Sequence, residues 1–399
     1  MKRRLRLLLP AIVIVAAPIA IRHSLPRLSA LAFIVRVARS EGTLARIARL
    51  TAGQVDQDPV VQVATRHGPV PTRLYRPAKA ARRTTILVPG LHMDGIAEAR
   101  LVGLAIELAA SGLQVLTVAP PDLAQYRVTP ETVDQLEDVA AWATRQSTLA
   151  PDGKIGITAF SFAGALGLVA AGRPAIRDRV AYAFSFGGYA DLARVLRYLC
   201  GRGDPPPPFD QSRPLVAGIE LINVPKPHDY GVVAALLNLA DRMVPPSQFP
   251  ALQAAVIEYL RASSIDRTDP ARAKAVFAHA RALGEGMPEP SRTLMRHVSD
   301  REVDKLGEAL RPILAHLELP AALSPERAPA PTAPVFLLHG ADDSVVPASE
   351  LVWLARELRG KTKVRALASR LITHAEVNPG VALSEIWRLA GFWRDLMRQ

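Results

Sequence analysis

The sequence predicts an α/β protein: a mostly parallel central sheet with helices on both faces and a helical segment inserted late in the sheet. Three observations lead there. Between residues 84 and 186, short apolar and β-branched runs alternate with helical patterns at the spacing of βα units. Between residues 187 and 331 the strand pattern disappears and helical patterns follow one another. An apolar strand pattern then resumes at residues 335–338, with a last one at 363–368. A sheet of this kind binds its ligands beyond the carboxyl ends of its strands.

The first 50 residues stand apart by charge. They hold ten Lys or Arg against one acid, Glu41, and so carry +9 of the chain's +12. The other 349 residues carry only +3, which argues against a basic nucleic-acid face on the body. Arginine outnumbers lysine 41 to 8, so single arginines carry little information. Met1–Arg6 is a basic head, and residues 7–21 are uncharged and mostly apolar, broken by Pro10 and Pro18. Fifteen residues fall short of the roughly 20 a spanning helix needs and suit a signal-peptide core better. No small-x-small cleavage site is convincing, because Val15 and Ala17 would leave Pro18 just after the cut. An uncleaved membrane anchor is therefore expected, with secretion through a signal peptide as the alternative. Residues 29–50 form a second helical pattern, interrupted at Gly42. Phe33, Ile34, Val37, Leu44, Ile47 and Ala48 share one side, and Arg36, Arg39, Arg46 and Arg49 another. Such a basic amphipathic helix either lies in an anionic membrane surface or packs its apolar side on the body.

The body, residues 51–188 and 332–399, opens with alternating stretches at 59–65 and 70–75, separated by His67-Gly68-Pro69. They read as an antiparallel pair at the sheet edge. Central strands follow at 84–88, 113–118, 155–159 and 180–186, and helices at 97–110, 130–146 and 162–171. Residues 189–331 form the helical insertion. It begins with a proline-rich loop at 202–214 containing four consecutive prolines, which is stiff and extended. Its helical patterns are 230–243, 247–262, 270–283 and 300–317. Cys200 is the only cysteine, so the chain has no internal disulfide and no cysteine zinc site, and it reads as a small buried hydrophobe.

Residues 154–174, K-I-G-I-T-A-F-S-F-A-G-A-L-G-L-V-A-A-G-R-P, join a buried strand to a small-residue helix, with Ser161 at the junction. A serine on such a turn projects its hydroxyl above the sheet edge and leaves the N–H of Phe162 facing whatever that hydroxyl attacks. This is a nucleophile elbow. Glycine usually stands two residues before and after the serine; here Ala159 and Ala163 stand there. The alternative use of Ser161 is a helix N-cap. A serine nucleophile needs an imidazole base and a carboxylate to orient it. Asp343 stands at the tip of the loop in A-P-V-F-L-L-H-G-A-D-D-S-V-V-P, and His374 in L-I-T-H-A-E-V before a last helix.

In the order Ser, Asp, His, and over roughly residues 60–399, the chain resembles the α/β-hydrolase superfamily, in particular serine esterases and lipases with an inserted helical cap. The resemblance implies an α/β-hydrolase fold. His339-Gly340-Ala341-Asp342-Asp343-Ser344-Val345-Val346-Pro347 matches the family's His-Gly-x-x-Asp-x-x-Val-Pro form, which assigns Asp343 rather than Asp342 as the acid, with Asp191 a distant second. In Pro89-Gly90-Leu91 a proline replaces the family's usual histidine, and the match assigns the Leu91 N–H as second oxyanion donor. His92 and Asp94 are expected to shape that turn. The implied chemistry is ester cleavage through an acyl-Ser161 intermediate, with His374 as base and then acid, Asp343 orienting it, and the Leu91 and Phe162 N–H groups holding the oxyanion. A serine at the elbow argues against the dehalogenase and epoxide-hydrolase branches. No metal, nucleotide or flavin motif is visible, so no cofactor is expected; the partners implied are a small-molecule or lipid ester, the membrane surface through residues 1–50, and no nucleic acid. Two other functions stay open: a membrane-tethered binding protein on an inactive scaffold, which the alanine pair and Pro89 favour, and a lipid-directed lipase or acyltransferase.

Overall fold

The computed structural model describes residues 26–38, 43–201, 203, 207, 215–266, 268–372 and 383–399. The anchor expected at residues 7–21, most of the proline-rich loop and His374 lie outside the described residues. Among the described residues no helix is long and apolar enough to cross a membrane.

Among the described residues, ten strands form one sheet: β1 (Val55–Gln57), β2 (Val61–Thr65), β3 (Gly68–Pro77), β4 (Thr84–Val88), β5 (Gln114–Val118), β6 (Ile155–Phe160), β7 (Val180–Phe186), β8 (Val216–Ala217), β9 (Val335–Gly340) and β10 (Val364–Ser369). Their order is β1-β3-β5-β4-β6-β7-β9-β10-β8, with β2 pairing β3 off this path. From β5 to β8 every neighbour is parallel, and β1, β2 and β3 form an antiparallel edge. The carboxyl ends of β4, β6, β7, β9 and β10 therefore open on one rim.

Successive residues of a strand face opposite ways, and both directions are apolar here. Ile86 and Val88 of β4 point into one core cluster with the helices Pro130–Thr144, Phe162–Gly172 and Ser349–Leu358; Leu87 points into the other with Ala99–Ala110 and Leu383–Leu396. Helices thus cover both faces, as the alternating pattern predicts.

Among the departures from expectation, two fall in the helical insertion. Strand β8 lies inside the stretch expected to hold no strand, pairing Val216 and Ala217 with Ala366 and Leu367 of β10. Two residues are too few to leave a period in the sequence. The helix expected at 300–317 starts instead at Val303, after a separate helix Ser291–Ser299, because Arg301 between them takes a positive φ of 54°.

The helix at residues 26–37 packs on the body. Phe33 stacks on Trp393 with ring centroids 4.7 Å apart, and Ala30 is buried beside it. Arg36, which the sequence places on the polar side, is buried: its guanidinium reaches Glu107 (2.6 Å), Thr51 Oγ1 (2.8 Å), Ser111 Oγ (2.8 Å) and the Ala48 carbonyl (3.3 Å). Full pairing is what allows an arginine inside a packed face. The following helix, Thr43–Leu50, buries Ala45 and Ala48 and leaves Ile47 and Leu50 exposed.

Candidate active site

Ser161 sits where β6 passes into the helix Phe162–Gly172, at φ 54° and ψ −134°. A non-glycine residue there is strained by roughly 1–3 kcal/mol and persists only where the surroundings hold it. They do: the Ser161 N–H donates to the Phe186 carbonyl at 2.7 Å, extending the β6–β7 pairing through the turn, and all eleven residues of the helix are buried. The Ser161 side chain makes no capping hydrogen bond to its helix, so the N-cap use is not the one adopted.

The alanine at 159 is accommodated from across the turn. A Cβ on Gly167 would lie 2.9 Å from the Ala159 Cβ, and one on Gly164 would lie 2.6 Å from Ser185 Oγ. The room that glycine at 159 would supply is supplied by glycine one turn into the helix. Gly167→Ala should therefore cost about 1–3 kcal/mol by overpacking, and Ala159→Gly in the same protein should recover most of it. Urea denaturation of the two single variants and the double variant measures this; strictly additive losses would contradict the account.

Gly90, after β4, approaches the serine so closely that a Cβ on it would stand 3.0 Å from the Ser161 Cβ. The residues that follow each of these two, Leu91 and Phe162, line a common cavity of about 60 Å³. Among the described residues neither the Leu91 N–H nor the Phe162 N–H meets an acceptor. The rest of the lining is apolar except for Asn238, and comes from Val128, Leu192, Leu196, Leu199, Ala234, Ala235, Leu239, Leu319 and Leu323. Asn238 turns its amide away from the cavity's chemistry, donating to the Tyr126 and Ala234 carbonyls and accepting from the Val128 N–H.

Asp343 follows β9, two strands from β6 on the same rim, and is 1% exposed, whereas Asp342 is exposed. Its Oδ1 accepts the N–H groups of Val345 (2.9 Å) and Val346 (3.0 Å), which fix the carboxylate in its loop. His339, also buried, holds the same loop by bonding the Val346 carbonyl at 2.9 Å, with its Nε2 3.5 Å from Asp343 Oδ2. That brace was open to sequence reasoning only as the first letter of the His-Gly-x-x-Asp form. Asp191 is engaged elsewhere, as N-cap of Leu192–Leu199, accepting the Arg194 N–H at 2.9 Å, with Arg327 3.3 Å away. The chain reaches the segment of His374 directly from β10, the neighbour of β9. Ser161, Leu91, Phe162 and Asp343 are thus brought to one rim, and the position of His374 is outside the description.

His92 and Asp94 form a turn, with the Asp94 N–H on His92 Nδ1 (3.3 Å) and the Gly95 N–H on the His92 carbonyl (3.0 Å). Cys200 is buried at the end of Leu192–Leu199, and burial pushes its thiol up to about 12, away from thiolate chemistry.

The helix Asp229–Leu239, whose residues Ala234, Ala235 and Leu239 wall the cavity, is held at its start by Asp229. This carboxylate faces His228 (2.6 Å), the Tyr259 hydroxyl (2.9 Å), Arg301 (3.4 Å) and the Tyr230 N–H (2.8 Å). Burial raises its pKa, but His228 and the other donors outweigh burial and hold it at about 2. An unfolded aspartate titrates near 3.9, so this stabilisation is complete above about pH 4 and is lost as pH falls toward 2. Melting temperature measured from pH 6 to pH 2 should fall less steeply for Asp229→Asn than for the wild type; parallel curves would contradict it.

No family model matches the chain, and no curated protein matches it by sequence. Among solved structures it is similar to brefeldin A esterase, described as a bacterial homologue of human hormone sensitive lipase, at 14% identity and a TM-score of 0.48, over 93% of this chain and 86% of that one. It is similar also to an esterase of Pyrobaculum calidifontis (16%, TM-score 0.41, 88% and 89%) and to esterase Est22 (12%, TM-score 0.42, 95% and 86%).

Proposed function

We propose that the protein is a serine hydrolase that cleaves carboxylic esters, with Ser161 as nucleophile. The observation that carries this reading is the strained Ser161 backbone on a strand-to-helix turn, with Gly90 packed against it and two backbone N–H groups beside it that meet no acceptor among the described residues. Strain held in place by surrounding structure marks a working site, and free donors beside a nucleophile stabilise a developing oxyanion by about 3 kcal/mol each.

The steps follow from the groups present. His374 takes the Ser161 proton as the hydroxyl oxygen attacks the ester carbonyl; the carbonyl oxygen becomes the oxyanion between the Leu91 and Phe162 N–H groups. Collapse expels the alcohol, which receives the proton from His374, and water then repeats the sequence on the acyl-Ser161. Asp343, buried and held by two N–H groups, is the acid that orients His374. The apolar cavity beside Leu91 and Phe162 takes a short acyl or alcohol group, and the helical segment between β7 and β9 serves as its cap. Purified protein should react with a fluorophosphonate probe and turn over p-nitrophenyl esters, short chains fastest. Failure of a folded wild type to label would leave the scaffold as a binding protein and end this reading.

A further inference from the structure

The peptide unit that joins Leu91 to His92 is gripped from both sides. Its carbonyl accepts a hydrogen bond from the Tyr230 hydroxyl at 2.8 Å, and its N–H, that of His92, donates to the Leu123 carbonyl at 3.2 Å. The plane of this peptide is therefore set, and with it the backbone on which the Leu91 N–H is carried. The Leu91 N–H itself belongs to the preceding peptide, that of Gly90, where a Cβ would stand 3.0 Å from the Ser161 Cβ. Tyr230 is the first-turn residue of Asp229–Leu239, so one half of the grip comes from the helical segment and not from the sheet. Its ring is itself held, edge-on to Tyr126 with centroids 6.3 Å apart. The Tyr126 hydroxyl lies against the Met93 backbone and 3.3 Å from Ser264 Oγ of Phe249–Asp266, a second contact between the helical segment and this loop.

We infer that Tyr230 is a positioning residue for the oxyanion donor: through its bond to the Leu91 carbonyl, the helical segment sets where the Leu91 N–H points. The inference rests on the ester-hydrolase reading. It gives the helical segment a part in the chemistry beyond walling the cavity. A donor held in advance of the reaction stabilises the transition state without reorganising, whereas a donor free to swing loses part of that effect. Only the transition state carries the full oxyanion charge, so kcat and not KM should report the loss.

Tyr230→Phe removes the hydroxyl and keeps the ring against Tyr126. With a short p-nitrophenyl ester its kcat should fall about tenfold, the worth of one well-placed hydrogen bond, while KM stays within about twofold. A trifluoromethyl ketone, which forms an oxyanion on the serine, should bind more weakly by a similar factor, with the melting temperature little changed. An active wild type with an unaltered kcat in Tyr230→Phe overturns the inference and leaves the hydrolase standing. A fall in kcat without loss of ketone affinity also overturns it, because the defect would lie elsewhere. A wild type that neither labels nor turns over ester overturns both.

Discussion

Ser161→Ala should abolish fluorophosphonate labelling and lower ester turnover by at least about 10⁴-fold, with stability unchanged within about 0.5 kcal/mol. The two halves of this result come from different features. Activity is lost because the attacking oxygen is removed. Stability is spared because the hydroxyl makes no capping bond to its helix and alanine carries the same Cβ in the same strained backbone. A serine acting as N-cap would behave in the opposite way, costing about 1 kcal/mol on replacement by alanine and nothing in activity. Ser161→Gly sharpens the test. Glycine tolerates φ 54° without strain, so this variant should be inactive and yet as stable as the wild type or more so, by up to about 1 kcal/mol. Chemical denaturation of the three proteins beside their ester turnover decides it; a variant without Ser161 that still labels and hydrolyses would move the nucleophile elsewhere.

Glu350→Ala should lower stability by about 3–5 kcal/mol. The Glu350 carboxylate is fully buried and bonds Arg194 Nε at 2.5 Å and the Ala190 and Asp191 N–H groups at 2.8 and 3.1 Å. Arg194 is nearly buried too, bonds Glu326 at 2.7 Å and lies over the Trp353 ring. Burial alone would lower its pKa, but the bonds to Glu350 and Glu326 reverse this and raise it, so the guanidinium stays charged. Removing Glu350 leaves that charge with Glu326 alone and strands two backbone donors in the loop after β7. Glu350→Gln, which keeps acceptor and shape, should lose less, and equal losses in urea denaturation would show that the charge contributes nothing.

The parts legible in the sequence were those with a local signature. Central strands announce themselves as β-branched runs buried on both faces, and the elbow as a serine between such a run and a small-residue helix. The buried Asp343 and exposed Asp342 were separable only through a nine-residue form carried by resemblance. What stayed hidden depends on contacts between distant residues. Tyr230 and Leu91 are 139 positions apart, and nothing around either tyrosine or leucine marks the other. The glycine that makes room for Ala159, Gly167, sits in a helix whose small residues read as simple packing. Arg36 follows helical periodicity onto a polar side, yet Glu107 and Ser111, some seventy residues on, draw it inward.

That buried arginine changes how the N-terminal 50 residues must be handled. Their truncation would tear Phe33 from Trp393 and leave Glu107 without Arg36. Loss of activity in such a protein would report damage to the sheet's cover and say nothing of lipid. The informative cut falls at residue 25 or before. Whatever residues 1–25 do, the helix that follows them is bolted to the body at Phe33 and Arg36.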